Sequence, residues 1–98
     1  MARDRLIQAL NDISSEVRAE AATLIGKSYD ADDVQHLLVE MLSDDDTQVR
    51  KNAALSLMKL EAIDAIEPLT LAKTTEEDEG VLKVFKVAIQ ILQRASNE

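Results

Sequence analysis

The chain has no cysteine, no tryptophan, one proline, two glycines, one histidine and only two aromatic residues, Tyr29 and Phe85. Without cysteine there is no disulfide framework, no thiolate metal site and no cysteine nucleophile. So little glycine and proline leaves few tight turns, and β-branched runs in strict alternation are missing, so a sheet is excluded. Positive charge is in deficit: eleven Lys and Arg against nineteen Asp and Glu give a net charge of −8. A duplex-binding protein needs the opposite excess to neutralise phosphates. No apolar run approaches the ~20 residues of a membrane helix, and Met-Ala-Arg-Asp-Arg is no signal-peptide core. These absences predict a cytoplasmic protein that binds neither nucleic acid nor membrane.

Apolar and charged side chains are abundant, at 46% and 31% of 98 residues, which predicts one folded domain over 1–98 and leaves no length for a second. Turn-forming clusters at 11–15, 28–33, 43–47, 61–64 and 74–80 delimit six predicted helices, at 2–10, 16–27, 33–42, 47–60, 65–73 and 81–94. The segment Leu6-Ile7-Gln8-Ala9-Leu10 leads to Asp12, Val17-Arg18 and Ala21-Ala22. Leu38-Val39-Glu40-Met41-Leu42 leads in the same phase to Asp44, Val49-Arg50 and Ala53-Ala54. Val17, Val49 and Val81 thus share a frame of about 32 residues, the range of helical solenoids. Three helical hairpins are expected, over about 1–30, 31–62 and 63–98. Asp32 with Gln35 and Asp64 with Glu67 have capping-box spacing, Pro68 falls in a first helical turn, and the first helix starts uncapped at Met1.

Leu10, Asp12, Val17, Arg18, Ala21, Ala22 and Ile25, and again Leu42, Asp44, Val49, Arg50, Ala53, Ala54 and Leu57, resemble the HEAT-like repeats, in particular the short type first named from phycobilisome lyase subunits. The third unit departs from the pattern, with Leu82 in place of Arg and Phe85 and Lys86 in place of the alanines. The resemblance implies an α-α superhelix, a short all-α solenoid with first helices on the convex side and second helices on the concave side. It also implies a protein-interaction or scaffold module, or alternatively an accessory subunit of a chromophore lyase or another protein-modifying enzyme. The nonhaem-iron hydroxylases built from such repeats rely on several His-Glu pairs, which this sequence lacks.

Chemistry is sparse. His36 has no cysteine beside it and reads as a surface residue. Asp44-Asp45-Asp46 lacks the alternation, glycine and late glutamate of a calcium loop, so Asp45 and Asp46 are expected to serve the next helix dipole. Glu76-Glu77-Asp78-Glu79 reads as an exposed loop. The serines have no base to activate them, and no phosphate loop or triad can be drawn. No catalysis, no cofactor and no metal are expected.

The remaining signals concern surfaces. Asp12 with Arg18, and Asp44 with Arg50, are expected to pair across their turns as a ladder between hairpins. Val17, Ile25, Val49, Leu57 and Leu60 are expected to face inward. The last helix has more apolar residues than a single contact of about 100° uses, which suggests self-association, docking or the cut edge of a longer array. Helical geometry places Lys51, Leu55 and Met58 opposite the inward stripe. The frame adds Ala19, Thr23 and Gly26 from one neighbour and Lys83, Val87 and Gln90 from the other. Together they predict a protein-binding groove for an acidic amphipathic helix or tail. The alternative is that Leu55 and Met58 merely pack between hairpins.

Overall fold

The computed structural model describes residues 2–97, of which 2–4 are placed by their backbone alone. Six helices and no strand form within them: α1 (Ala2–Gln8), α2 (Ser15–Ser28), α3 (Ala31–Met41), α4 (Thr47–Lys59), α5 (Ile66–Thr75) and α6 (Glu79–Ser96), with short 3-10 turns at Ala9–Asn11 and Ile63–Ala65. Each expected helix is present, its ends displaced by at most two residues. No helix is long and apolar enough to cross a membrane among the described residues.

The second helix of every hairpin starts in the same way. Ser14, Asp46 and Asp78 are extended and accept from the backbone N–H of Val17, Val49 and Val81 at 3.4, 3.1 and 2.9 Å. Two residues earlier, Asp12, Asp44 and Glu76 accept from the N–H of those capping residues at 2.9, 3.0 and 3.0 Å. Each turn is therefore fixed by two side chains that satisfy otherwise orphaned donors. Helices α3 and α5 lack such caps, and the two expected capping boxes do not form. After the short link from α2, α3 starts at Ala31, so Asp32 is already inside its first turn, and Asp30 caps without its side chain. Asp64 is taken up by the 3-10 turn before α5 and accepts from Gln35 Nε2 at 3.4 Å. Pro68 does occupy the first turn of α5, where a missing N–H costs little. The uncapped helix start expected at Met1 lies outside the described residues.

Packing follows the alternation of first and second helices. The closest pairs are α2 with α4 and α4 with α6, while α1, α3 and α5 lie on α2, α4 and α6 respectively. The second helices thus form a continuous row with the first helices laid on it, in a slab of 37 × 30 × 15 Å. Ile25, Leu38, Leu57, Leu69, Phe85 and Leu92 are wholly buried between the layers. Small residues set the α2–α4 distance. Ser56 Oγ donates to the Ala22 carbonyl at 2.7 Å, and Asn52 Nδ2 donates to the Ala19 carbonyl at 2.9 Å. A Cβ on Gly26 would fall 2.6 Å from Ser56 Cβ, so the backbones approach as closely as they do because position 26 has none.

Two expectations about burial are corrected. Ile25, Val49 and Leu57 face inward and Leu60 is half-buried, but Val17 remains 40% exposed. Val49 and Val81 are covered by the preceding hairpin, and no described residue stands in that place for Val17. The apolar arc of α6 is mostly used inside the fold, because this helix packs on both α4 and α5. Val81, Phe85, Ala88, Ile89 and Leu92 are buried, and Leu82 and Val84 half-buried, which leaves Val87 and Ile91 as its exposed large apolar side chains.

Candidate functional site

The repeated arginines bridge hairpins rather than closing their own turns. Arg18 Nε and Nη2 bind Asp44 Oδ2 and Oδ1 at 2.9 and 3.0 Å, while Nη1 donates to the carbonyls of Asp12 and Ile13 at 2.8 and 3.0 Å. Arg50 repeats this one hairpin later, with Nε and Nη2 on Glu76 at 2.8 and 2.9 Å and Nη1 on the carbonyls of Asp44 and Asp45 at 2.8 and 3.1 Å. The expected pairs Asp12 with Arg18 and Asp44 with Arg50 are therefore replaced by Arg18 with Asp44 and Arg50 with Glu76. The reason is geometric: each arginine sits in the first turn of a second helix and holds its own turn through backbone carbonyls, and its fork then reaches forward. Glu76, expected in a solvated loop, is a ladder member whose side chain is 5% exposed.

Burial pushes the Asp44 carboxyl up, but the Arg18 bond, the Asp46 N–H and the charges of Arg18 and Arg50 outweigh it and hold the group below the usual carboxylate range. Open depressions flank both pairs, yet neither offers an anion a free guanidinium. Four of the five N–H groups of each arginine are already bonded to carboxylate or carbonyl oxygens. These two pairs hold successive hairpins together.

The exposed side of the second helices is different. In the repeat frame, Ala19, Lys51 and Lys83 form one row across α2, α4 and α6, Thr23, Leu55 and Val87 a second, and Lys27, Lys59 and Ile91 a third. The middle row carries apolar surface to solvent, with Leu55 36% and Val87 48% exposed. Lys83 and Lys59 are exposed beside it, and Lys51 is half-buried, reaching over Gly80 at the start of α6. Of the residues expected to line the groove, Lys51, Leu55, Lys83, Val87 and Thr23 fall on this face together. Met58 is half-buried against the core, and Gln90, one hairpin on, is exposed at the outer edge of α6. Ala19 is buried beneath the Asn52 amide and Gly26 lies against Ser56, so neither adds surface. The sequence reading missed Lys27, Lys59 and Ile91, although the same frame moved on by four residues points to them.

The other polar clusters resolve into local roles. His36 is exposed, and among the described residues no three His, Cys, Asp or Glu side chains stand together as a metal set. Asp46 and Asp78 cap helices, as shown above. The HEAT repeats family matches the chain over residues 3–90. No curated protein matches it.

Proposed function

We propose, for a chain that belongs to the HEAT repeat family, a module that binds an acidic amphipathic helix of a partner protein across its second helices and performs no catalysis of its own. HEAT repeats generally mediate protein–protein interaction or scaffolding, which supplies the class of function. We read the chain as one domain of three short phycobilisome-lyase-type units, over about 1–30, 31–62 and 63–98, acting in the cytoplasm.

The observation that carries this reading is the sorting of charge. The protein has a net charge of −8, yet its second helices carry Lys27, Lys51, Lys59, Lys83, Lys86 and Arg94 outside the arginine ladder, against Glu16, Glu20 and Glu79. A row of Thr23, Leu55 and Val87, apolar at its last two members, runs between these cations. Successive helices stand roughly 8–10 Å apart, so the row extends roughly 20 Å, the length of about 13 residues of helix. A helix with leucines on one face and carboxylates on both flanks matches it in pattern and sign.

The test uses a fluorescent synthetic helix of 14 residues with that pattern and a scrambled peptide of the same composition. The patterned peptide is expected to bind about tenfold more tightly than the scrambled one, and Lys51→Glu with Lys83→Glu to weaken it about tenfold while the melting temperature holds. Equal binding of the two peptides, or unchanged binding to the double variant, would overturn the proposal.

A further inference from the structure

We infer that the outer edge of α2 is a second docking surface, shaped to receive one helical hairpin of a partner protein whose arginine pairs with Asp12. The two hairpin interfaces inside the fold define what such an edge looks like when it is occupied. Toward the preceding hairpin α4 presents Val49, Asn52, Ala53 and Ser56, tied to α2 through Asn52 and Ser56. The same positions of α6 are Val81, Val84, Phe85 and Ala88, and those of α2 are Val17, Glu20, Ala21 and Leu24. Val49 and Val81 are both wholly buried, while Val17 is 40% exposed. Ser56 and Ala88 are 3% and 0% exposed, whereas Leu24, larger than either, is 39% exposed. The edge of α2 therefore shows solvent Val17 and Leu24, at two positions that the other two hairpins bury, while Ala21 is buried within its own hairpin.

Asp12 gives that edge a polar anchor. Asp44 and Glu76 each accept one turn N–H and the two-pronged fork of the preceding hairpin's arginine. Asp12 makes the same turn bond, to Ser14 N–H at 2.9 Å, and among the described residues no guanidinium bonds to its carboxylate, Arg18 taking only its backbone carbonyl. Its carboxylate is exposed and already held in the turn that its two counterparts use.

A second copy of this chain is not the occupant. Stacked head to tail, it would bring Leu82 where the ladder needs an arginine and Lys86 where Ala22 and Ala54 are fully buried. An uncompensated ammonium there loses its hydration without a partner. Stacked edge to edge, two copies would set Asp12, Glu16 and Glu20 against their own like charges. The fitting chemistry is a second helix with the Arg-x-x-Ala-Ala pattern of Arg18 to Ala22 and of Arg50 to Ala54.

The probe is the chain's own middle hairpin. A copy of residues 31–64 fused directly ahead of Met1 keeps the frame and sets its arginine 26 positions before Asp12, the separation of both internal pairs. The fused hairpin is expected to gain amide hydrogen-exchange protection and to raise the melting temperature by roughly 5 °C or more. Asp12→Asn, which keeps the turn bond, is expected to reduce the gain in the fused chain while leaving the unfused chain within about 1 °C of the wild type. An unprotected copy, or an equal effect of Asp12→Asn in both chains, would refute the inference. So would a wild-type dimer by sedimentation that Val17→Asp dissolves, since the occupant would then be a second copy.

Discussion

Arg18 and Asp44 stand 26 residues apart, yet they form a two-pronged pair at 2.9 and 3.0 Å that ties the first hairpin to the turn of the second. Because the same arginine also holds the carbonyls of its own turn, it fixes the register of two turns at once. Arg50 does so again for the second and third hairpins, and the ladder ends where Leu82 takes the arginine's place.

The first prediction compares neighbours on α4. Arg50→Ala strands Glu76, 5% exposed at its side chain, together with the carbonyls of Asp44 and Asp45. With the pair partly solvated, the loss should lie between the ~1 kcal/mol of an exposed ion pair and the ~3–5 of a buried one, at about 2 kcal/mol. Lys51→Ala should cost less than about 1 kcal/mol. Urea unfolding of the two variants checks this, and equal midpoints would contradict the bridging role.

Acid should weaken the first rung. The Asp44 carboxyl is held below its ordinary range in the folded protein, so the unfolded chain takes up the proton first as pH falls. Its stabilisation is complete at pH values well above the unfolded value of about 3.9 and is lost as pH drops through the lower folded value. Asp44→Asn should therefore melt below the wild type at neutral pH, and the gap should close below about pH 4. A gap that is constant from neutral to acid pH would show that Asp44 is held by something other than its charge.

A third prediction concerns the end of α4. Glu61 has φ +53°, with its N–H on the Met58 carbonyl at 3.0 Å and the Ala62 N–H on the Leu57 carbonyl at 3.0 Å. This is the left-handed helix stop that glycine enters without the Cβ penalty. Glu61→Gly should stabilise the protein by about 0.5–1 kcal/mol, less the entropy that glycine gains in the unfolded chain. Thermal melting reads the sign, and destabilisation would mean that the Glu61 side chain contributes more than its backbone strain costs.

The repeats were legible because side-chain type follows the frame: Val17, Val49 and Val81, the paired alanines and the paired arginines show the hairpins before any coordinate does. The partners of the arginines were not legible. Asp12 and Arg18 are close in sequence, but a guanidinium on the first turn of a helix can turn back to its own loop or forward to the next. Sequence spacing does not say which. Glu76 was hidden for a related reason, since an acidic run looks solvated until a neighbouring helix supplies the cation. The exposed face was partly legible: helical spacing puts Leu55, Val87 and Met58 on one surface, and of these Leu55 and Val87 are exposed whereas Met58 is half-buried against the core. Leu24 gave no signal at all, because its counterparts Ser56 and Ala88 are small and draw no attention as an interface.

The last prediction tests the closeness of α2 and α4. Replacing glycine by alanine inside a helix ordinarily stabilises by about 1 kcal/mol through backbone entropy. At Gly26 the new Cβ would meet Ser56 at 2.6 Å from Cβ and 3.1 Å from Cα. The Cα belongs to the backbone of α4, so a rotamer change at Ser56 relieves only part of the clash. Spreading the helices would stretch the 2.7 Å bond from Ser56 to the Ala22 carbonyl, leaving a buried hydroxyl without its acceptor. Overpacking of this kind costs ~1–3 kcal/mol, so Gly26→Ala should be destabilising in net. Gly26→Ala with Ser56→Gly removes the obstructing side chain and should recover part of the loss, a coupling between the two sites of about 1 kcal/mol in a double-mutant cycle. If Gly26→Ala alone raises the unfolding midpoint, the two helices can separate at no cost, and the close approach is not what holds the first two hairpins together.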